Sequence, residues 1–260
     1  MKIESRPDYL DVWDSFTWKK TSIPIDSVMG YFKYGEDDDK LYYKVPDYSG
    51  ESGIDYQFLP PGQRGTINTY GYTVTFKEKG FAPLEYLYVQ KGQRFAMLFP
   101  FINNNTPDSS LATFKRFLAD QPALLADINR TNYRPALVKE LIARYNLITY
   151  RPPATTTEKG QVTFYRLKLG ENKEQINLVI GDKSYPFERY SIRNLDLPAG
   201  QVIKVCLQNN DRQTCTLIEP LVYFRTYYRI SYTKKNGLKL QKAPKKEAFD
   251  DLLEIKKFKK

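Results

Sequence analysis

The sequence predicts an α+β protein that is mainly β: an N-terminal antiparallel β module with a three-helix insert over residues 1–150, then a C-terminal antiparallel β-sandwich over residues 155–260. Three observations carry this. Short runs rich in aromatic and β-branched residues, punctuated by Gly, Pro, Asn and Asp, fill residues 16–103 and 161–241. Helical spacing is confined to the stretch between Thr106 and Leu147. With 260 residues, 41% hydrophobic and 27% charged, the chain is long enough for two domains and a core in each.

In the first segment, Val28-Met29-Gly30-Tyr31-Phe32-Lys33-Tyr34 and Lys40-Leu41-Tyr42-Tyr43-Lys44-Val45 form a predicted hairpin around Gly35-Glu36-Asp37-Asp38-Asp39. Four consecutive acids suggest calcium, but the loop lacks the alternating acidic positions and the glycine that aim oxygens inward. A solvated acidic turn is the expectation, and no metal ligand set is assigned. Residues 46–66, with four glycines and three prolines between Pro46 and Gly65, form a breaker-rich connection. Two β-like runs follow, Thr66 to Phe76 and Leu84 to Phe101, around a turn at Lys77-Glu78-Lys79-Gly80. Tyr70, Tyr72, Val74 and Phe76 alternate on one face, the mark of a half-buried antiparallel sheet. Tyrosine suits such a strand because its ring packs and its hydroxyl reaches solvent.

The helical stretch opens with Thr106 as N-cap and Pro107 at the first helical position, with Asp108 near the positive helix end. Leu111, Phe114, Phe117 and Leu118 share one helical face. Pro122 stops that helix, and Asp120 is the expected cap of a second one carrying Leu124, Leu125 and Ile128. A third begins near Pro135, presents Leu137, Val138, Leu141, Ile142 and Tyr145, and is expected to stop at Asn146. Helices this short are marginal alone in water, so they are expected to pack on a flanking sheet.

Arg151-Pro152-Pro153-Ala154-Thr155-Thr156-Thr157 reads as a stiff polar link and a domain boundary. Seven β-like runs follow: Gln161 to Leu167, Gln175 to Ile180, Tyr185 to Ile192, Val202 to Leu207, Thr214 to Ile218, Leu221 to Tyr232 and Leu238 to Gln241. Turns at regular intervals between them argue for an antiparallel sandwich or barrel. If Asn210 and Asp211 are the central pair of a two-residue hairpin, position 209 faces 212 and Cys206 faces Cys215. Counting outward puts the two cysteines at a non-hydrogen-bonded site, where the Cα separation of about 4.5 Å suits a disulfide. A bridge of that kind forms in an oxidising compartment.

Composition excludes several chemistries. The chain has no histidine, which removes the Ser-His-Asp triad, the Cys-His pair, the HExxH zinc site and any imidazole base. No Asp/Glu pair stands in a recognisable motif, so no catalytic residue and no cofactor are assigned. No run of eighteen apolar residues is present, so no membrane span is expected. Met1-Lys2-Ile3-Glu4-Ser5 lacks the apolar core of a signal peptide. The net charge of +10 is concentrated at the end, where Thr233 to Lys260 holds ten lysines against four acids. Such a basic tail either solubilises the chain or meets an anionic surface.

Four stretches of the second segment resemble a known group. Gly160-Gln161-Val162-Thr163-Phe164-Tyr165-Arg166, Ile176-Asn177-Leu178-Val179-Ile180-Gly181-Asp182-Lys183, Leu197-Pro198-Ala199-Gly200 and Tyr227-Tyr228-Arg229-Ile230 are similar to the motifs of a family of small secreted, often lipid-anchored bacterial β-sandwich domains of unknown function. The likeness spans residues 158–255, with Glu219-Pro220-Leu221 where that family places a glycine. Phe117 to Asn146 is similar to a segment of extracytoplasmic Gram-negative proteins. The resemblance implies a cell-envelope location, periplasmic or outer-membrane associated, with the signal segment or lipid anchor outside the given chain, and it implies no active site.

The expected function is that of a non-enzymatic extracytoplasmic binding or scaffold module for a protein partner or an anionic surface component. Candidate binding residues are Tyr223, Arg225, Tyr227 and Arg229, which share one strand face expected to be wet, with Lys234 and Lys235 beyond them. The alternative is nucleic-acid binding, because bases and aromatics alternate along Tyr223 to Arg229 as on a stacking platform. One wet face and one core face is the simpler account of that strand, so a nucleic-acid partner is not the expectation.

Overall fold

A computed structural model describes residues 2–5, 9–13, 17, 19–24, 27–33, 40–46, 56–75, 82–101, 106–153, 156–167, 175–209, 212–222, 224–233 and 237–258. Among the described residues the fold is mainly β with several antiparallel sheets, as the sequence predicts, and it has four helices, one more than the three expected. Two compact units make up the chain: Met1–Gly35, Asp39–Gln63 and Ile67–Ile142 form one, and Glu36–Asp38, Arg64–Thr66 and Ala143–Lys260 the other.

Among the described residues the first unit holds three three-stranded antiparallel sheets. β1 (Lys2–Ser5), β2 (Tyr9–Trp13) and β3 (Lys20–Pro24) form one. Its buried Asp11 lies opposite Ser22, accepts a 2.6 Å hydrogen bond from that hydroxyl and pairs with Lys20 at 2.8 Å, so the carboxylate is not left bare in the interior. β4 (Gly30–Lys33), β5 (Lys40–Pro46) and β6 (Tyr56–Leu59) form the second. The β4–β5 pairing is the expected hairpin; its acidic loop lies outside the described residues. β6 arises inside the stretch read as connection, because Tyr56 and Leu59 have a core to enter.

β7 (Asn68–Val74), β8 (Leu84–Lys91) and β9 (Arg94–Phe99) form the third sheet. The long run Leu84 to Phe101 is thus two strands, reversed where Lys91 pairs with Arg94 and Gly92 takes a φ of +59° that few other residues tolerate. Tyr70 is buried beside Val45, Leu59 and Tyr88, whereas Tyr72, on the same face, is exposed and stacks on Tyr86 at 4.5 Å. Phe76 lies outside the described residues.

α1 (Pro107–Phe117) starts with the Thr106 cap, completed by Ser109 as a reciprocal box. It lies on β9, where the Ser110 hydroxyl donates to the Leu98 carbonyl at 2.7 Å. α2 (Pro122–Leu125) corrects one expectation: its cap position is Gln121, and Asp120 instead pairs with Lys91 at 2.8 Å. α3 (Pro135–Ile148) buries Val138, Leu141, Ile142 and Tyr145 and runs past Asn146, whose side chain is buried and whose position therefore does not act as a stop. The division between the units falls inside α3, ahead of the link read from Arg151 to Thr157.

Among the described residues the second unit is a sandwich of two four-stranded sheets. β10 (Lys159–Arg166), β13 (Ser191–Pro198), β16 (Arg225–Thr233) and β17 (Gly237–Ala243) form one, in the order β13-β10-β16-β17. β11 (Ile176–Ile180), β12 (Lys183–Phe187), β14 (Ile203–Asn209) and β15 (Arg212–Ile218) form the other, in the order β12-β11-β14-β15. The purely antiparallel expectation needs one correction, because β10 and β16 run parallel. The expected run from Tyr185 to Ile192 is also two strands, broken near Tyr190, which adopts a φ of +56°. Val162, Phe164, Ile176, Leu178, Phe187, Val205, Leu207 and Ile230 fill the space between the sheets.

Cys206 faces Cys215 across β14 and β15, with the sulfurs 2.05 Å and the Cα atoms 4.0 Å apart. Asn209 pairs with Arg212, so the reversal is two residues long; Asn210 and Asp211 themselves lie outside the described residues. The basic end is not a tail throughout. α4 (Lys245–Phe258) is a helix packed against β16, because Ala248, Leu252 and Ile255 recur at i, i+4 and i+7 and have an apolar surface to cover. Among the described residues, no helix is long and apolar enough to cross a membrane.

Candidate functional site

The strand registers define the outer face of the β13-β10-β16-β17 sheet. Asn194, Thr163, Tyr227 and Ala243 form one row across it, and Ile192, Tyr165, Arg229 and Gln241 form the next. Gln161 and Arg225 stand in the row beyond, with the Arg225 guanidinium donating to Gln161 Oε1 at 2.8 Å. α4 lies on this face and meets it in two different ways.

One contact is polar. Asp251 Oδ2 accepts hydrogen bonds from the Tyr165 hydroxyl at 2.7 Å and from Arg229 Nε at 2.9 Å, and Arg229 Nη2 reaches both Asp251 and Glu247. Burial opposes the Arg229 charge, but its bonds to Asp251 and Tyr165 outweigh that cost and hold the guanidinium more firmly protonated than usual. Burial first, and then the bond to Asp251, raise the Tyr165 phenol above its ordinary value. Tyr165, Tyr227, Ala243, Ala248, Leu252 and Ile255 close around this cluster.

The other contact is open. Beside the polar cluster, a groove of about 470 Å³ runs between α4 and the sheet, lined by Thr163, Ile192, Asn194, Arg225 and Tyr227 from the strands and by Phe249, Leu252, Leu253 and Lys256 from the helix. Its volume lies within the range of small-molecule sites, about 300–1,000 Å³. Phe249 and Leu253 remain 46% and 55% exposed, although Phe249 sets its edge against the Tyr227 ring at 5.6 Å. The charged lining residues, Arg225 and Lys256, are both cations and both exposed. Thr163 donates to Asn194 Oδ1 at 2.8 Å, which uses the hydroxyl proton of that wall and leaves the Asn194 amide nitrogen as a neutral donor. This arrangement can hold an apolar body with a negative end; it offers no pair of carboxylates and no nucleophile with a base.

The expected binding residues are therefore split. Arg225 lines the groove, while Tyr227 is 7% exposed and forms its floor. Arg229 is committed to the carboxylates of α4. The face read as wet is thus a covered face, and Tyr227 and Arg229 are not presented as a stacking platform. Tyr223, Lys234 and Lys235 lie outside the described residues. The sequence reading missed Phe249, Leu252, Leu253 and Lys256. Their signal is the second apolar stripe of α4, Phe249 and Leu253 four residues apart with Lys256 three further on, next to the stripe that packs on the sheet. Comparison with protein-family models, with curated proteins and with solved structures finds no match for this chain.

Proposed function

We propose that the chain is a non-enzymatic binding module of the bacterial cell envelope that holds an anionic component of that envelope at the groove under α4. The observation that carries this reading is the groove itself: apolar walls with exposed Phe249 and Leu253, and two cations as its charged lining. Three further features support it. The chain has no histidine, Cys206 and Cys215 stand as a cross-strand disulfide, and residues 158–255 resemble secreted β-sandwich domains.

Sedimentation with vesicles of phosphatidylcholine containing phosphatidylglycerol tests the binding. Expected is salt-dependent association that falls about tenfold in the R225E/K256E double variant. The R94E/R116E variant, which makes the same change in net charge at a groove of the first unit, is expected to bind as the parent does. Equal loss in both variants would mean that net charge alone drives adsorption, against a defined site. For the location, titration of the native protein from its host is expected to find no free thiol; two free thiols would remove the support for an oxidising compartment.

A further inference from the structure

The groove has a length of apolar wall and a charged lining of one sign, and together these specify more than an anionic partner. A compact anion such as phosphate needs several converging donors; here the Thr163 hydroxyl proton is given to Asn194 Oδ1, the Asn194 amide nitrogen is a neutral donor, and Arg225 is steadied by the neutral Gln161 amide. Phe249, Leu252, Leu253, Ile192 and the Tyr227 ring offer an apolar track instead. A polyanion such as nucleic acid would leave Phe249 and Leu253 against water or phosphate. Among the described residues no carboxylate lines the groove, and neither Arg225 nor Lys256 is in an ion pair.

We infer that the groove takes a single-chain anionic lipid, its acyl chain lying along Phe249, Leu252 and Leu253 of α4 and its carboxylate meeting Arg225 and Lys256. This deepens the proposed function and rests on it for the biological setting, while the chemistry of recognition stands on the groove alone. Burial of a chain removes Phe249 and Leu253 from water along with it. The carboxylate gains two cations that are otherwise solvated, so the charge contributes orientation as well as affinity.

Calorimetry with monomeric laurate, below its micelle concentration, tests the inference on the full chain. Expected is one laurate per chain. Butyrate, which keeps the head and loses the chain, and dodecyltrimethylammonium, which keeps the chain and inverts the head, should each bind at least about tenfold more weakly. Leu253→Glu, at an exposed helical position, should weaken laurate about tenfold or more, and Leu253→Met should restore parental binding. Butyrate binding as well as laurate would reduce the groove to an anion site and overturn the acyl-chain assignment; dodecyltrimethylammonium binding as well would overturn the role of the cations. Vesicle association without laurate binding would refute this inference and leave the proposed function standing. A dimer in sedimentation that L253E dissolves would make a second copy of the chain the occupant and refute the lipid.

Discussion

The two faces of the β13-β10-β16-β17 sheet are made by the same strands and closed by different physics. The inner face meets another sheet through Val162, Phe164, Leu197 and Ile230, and its buried Arg166 donates to the Phe187 carbonyl at 2.8 Å. The outer face meets a single helix, fixed on one side by Asp251, Tyr165 and Arg229 and left open on the other beside Phe249 and Leu253. A sheet-to-sheet contact is continuous, so nothing can enter without loss of core packing. A helix laid on a sheet touches along a line, and what lies beside that line is available for binding. The sandwich supplies stability, and its helix-covered back supplies the candidate site.

The largest expected effect comes from the inner face. Phe164→Ala empties a fully buried aromatic position and should cost about 3–5 kcal/mol in urea unfolding of the second unit. Phe249→Ala, on the outer face, should change stability by less than about 1 kcal/mol because that ring is nearly half exposed. Similar losses from both would show that the outer face is as tightly closed as the inner one.

The outer face of the other sheet provides a second contrast, since there Cys206 and Cys215 brace β14 to β15. Replacing both by alanine should cost about 2–3 kcal/mol through the entropy of the opened loop, and laurate binding measured in native conditions should be unchanged. Next in size is Asp251→Ala, which removes the acceptor shared by Tyr165 and Arg229, leaves Arg229 with Glu247 alone and should cost about 2 kcal/mol. Arg229→Met combined with Asp251→Leu should recover at least half of that loss, because the half-buried guanidinium with one of its two carboxylates gone is what destabilises. If the double variant is worse than the single one, the polar anchor contributes beyond its own satisfaction.

The same contrast explains what could be read in advance. Cys206 could be set against Cys215 because a two-residue reversal fixes register, and register fixes every pair outward from it. The strand parity of Arg225, Tyr227 and Arg229 was equally legible. What covered them was not: alternation tells which residues share a face and says nothing of what lies on it. The covering helix was hidden by its composition, since lysines and acids outnumber the apolar residues of Lys245–Phe258, and the stripe of Ala248, Leu252 and Ile255 is small beside them. β1 to β3 and β6 were missed for a related reason. They are four or five residues long, and so short a run has too few alternations to stand out from its loops.

The smallest effect separates the faces by pH. Tyr228 packs against the inner core, and its phenol is raised above the ordinary value by burial first and then by the negative charge of Glu219; Tyr165 on the outer face is raised by burial and by its bond to Asp251. In both cases the unfolded chain ionises near pH 10 and the folded one only above it, so the unfolded state holds fewer protons there. Their stabilisation is complete below pH 10 and declines as pH rises. Replacing either by phenylalanine should flatten that decline by up to about 1.4 kcal/mol per pH unit. At pH 7 the two should differ. Tyr165→Phe gives up a hydrogen bond to a carboxylate and should cost about 1–2 kcal/mol. The Tyr228 hydroxyl has no hydrogen-bond partner among the described residues, so Tyr228→Phe should leave stability unchanged or slightly raised. Urea titrations at pH 7 and pH 10.5 read both quantities. Equal losses at pH 7 would mean that the inner face also depends on a polar anchor, and the distinction between the closed face and the anchored one would fail.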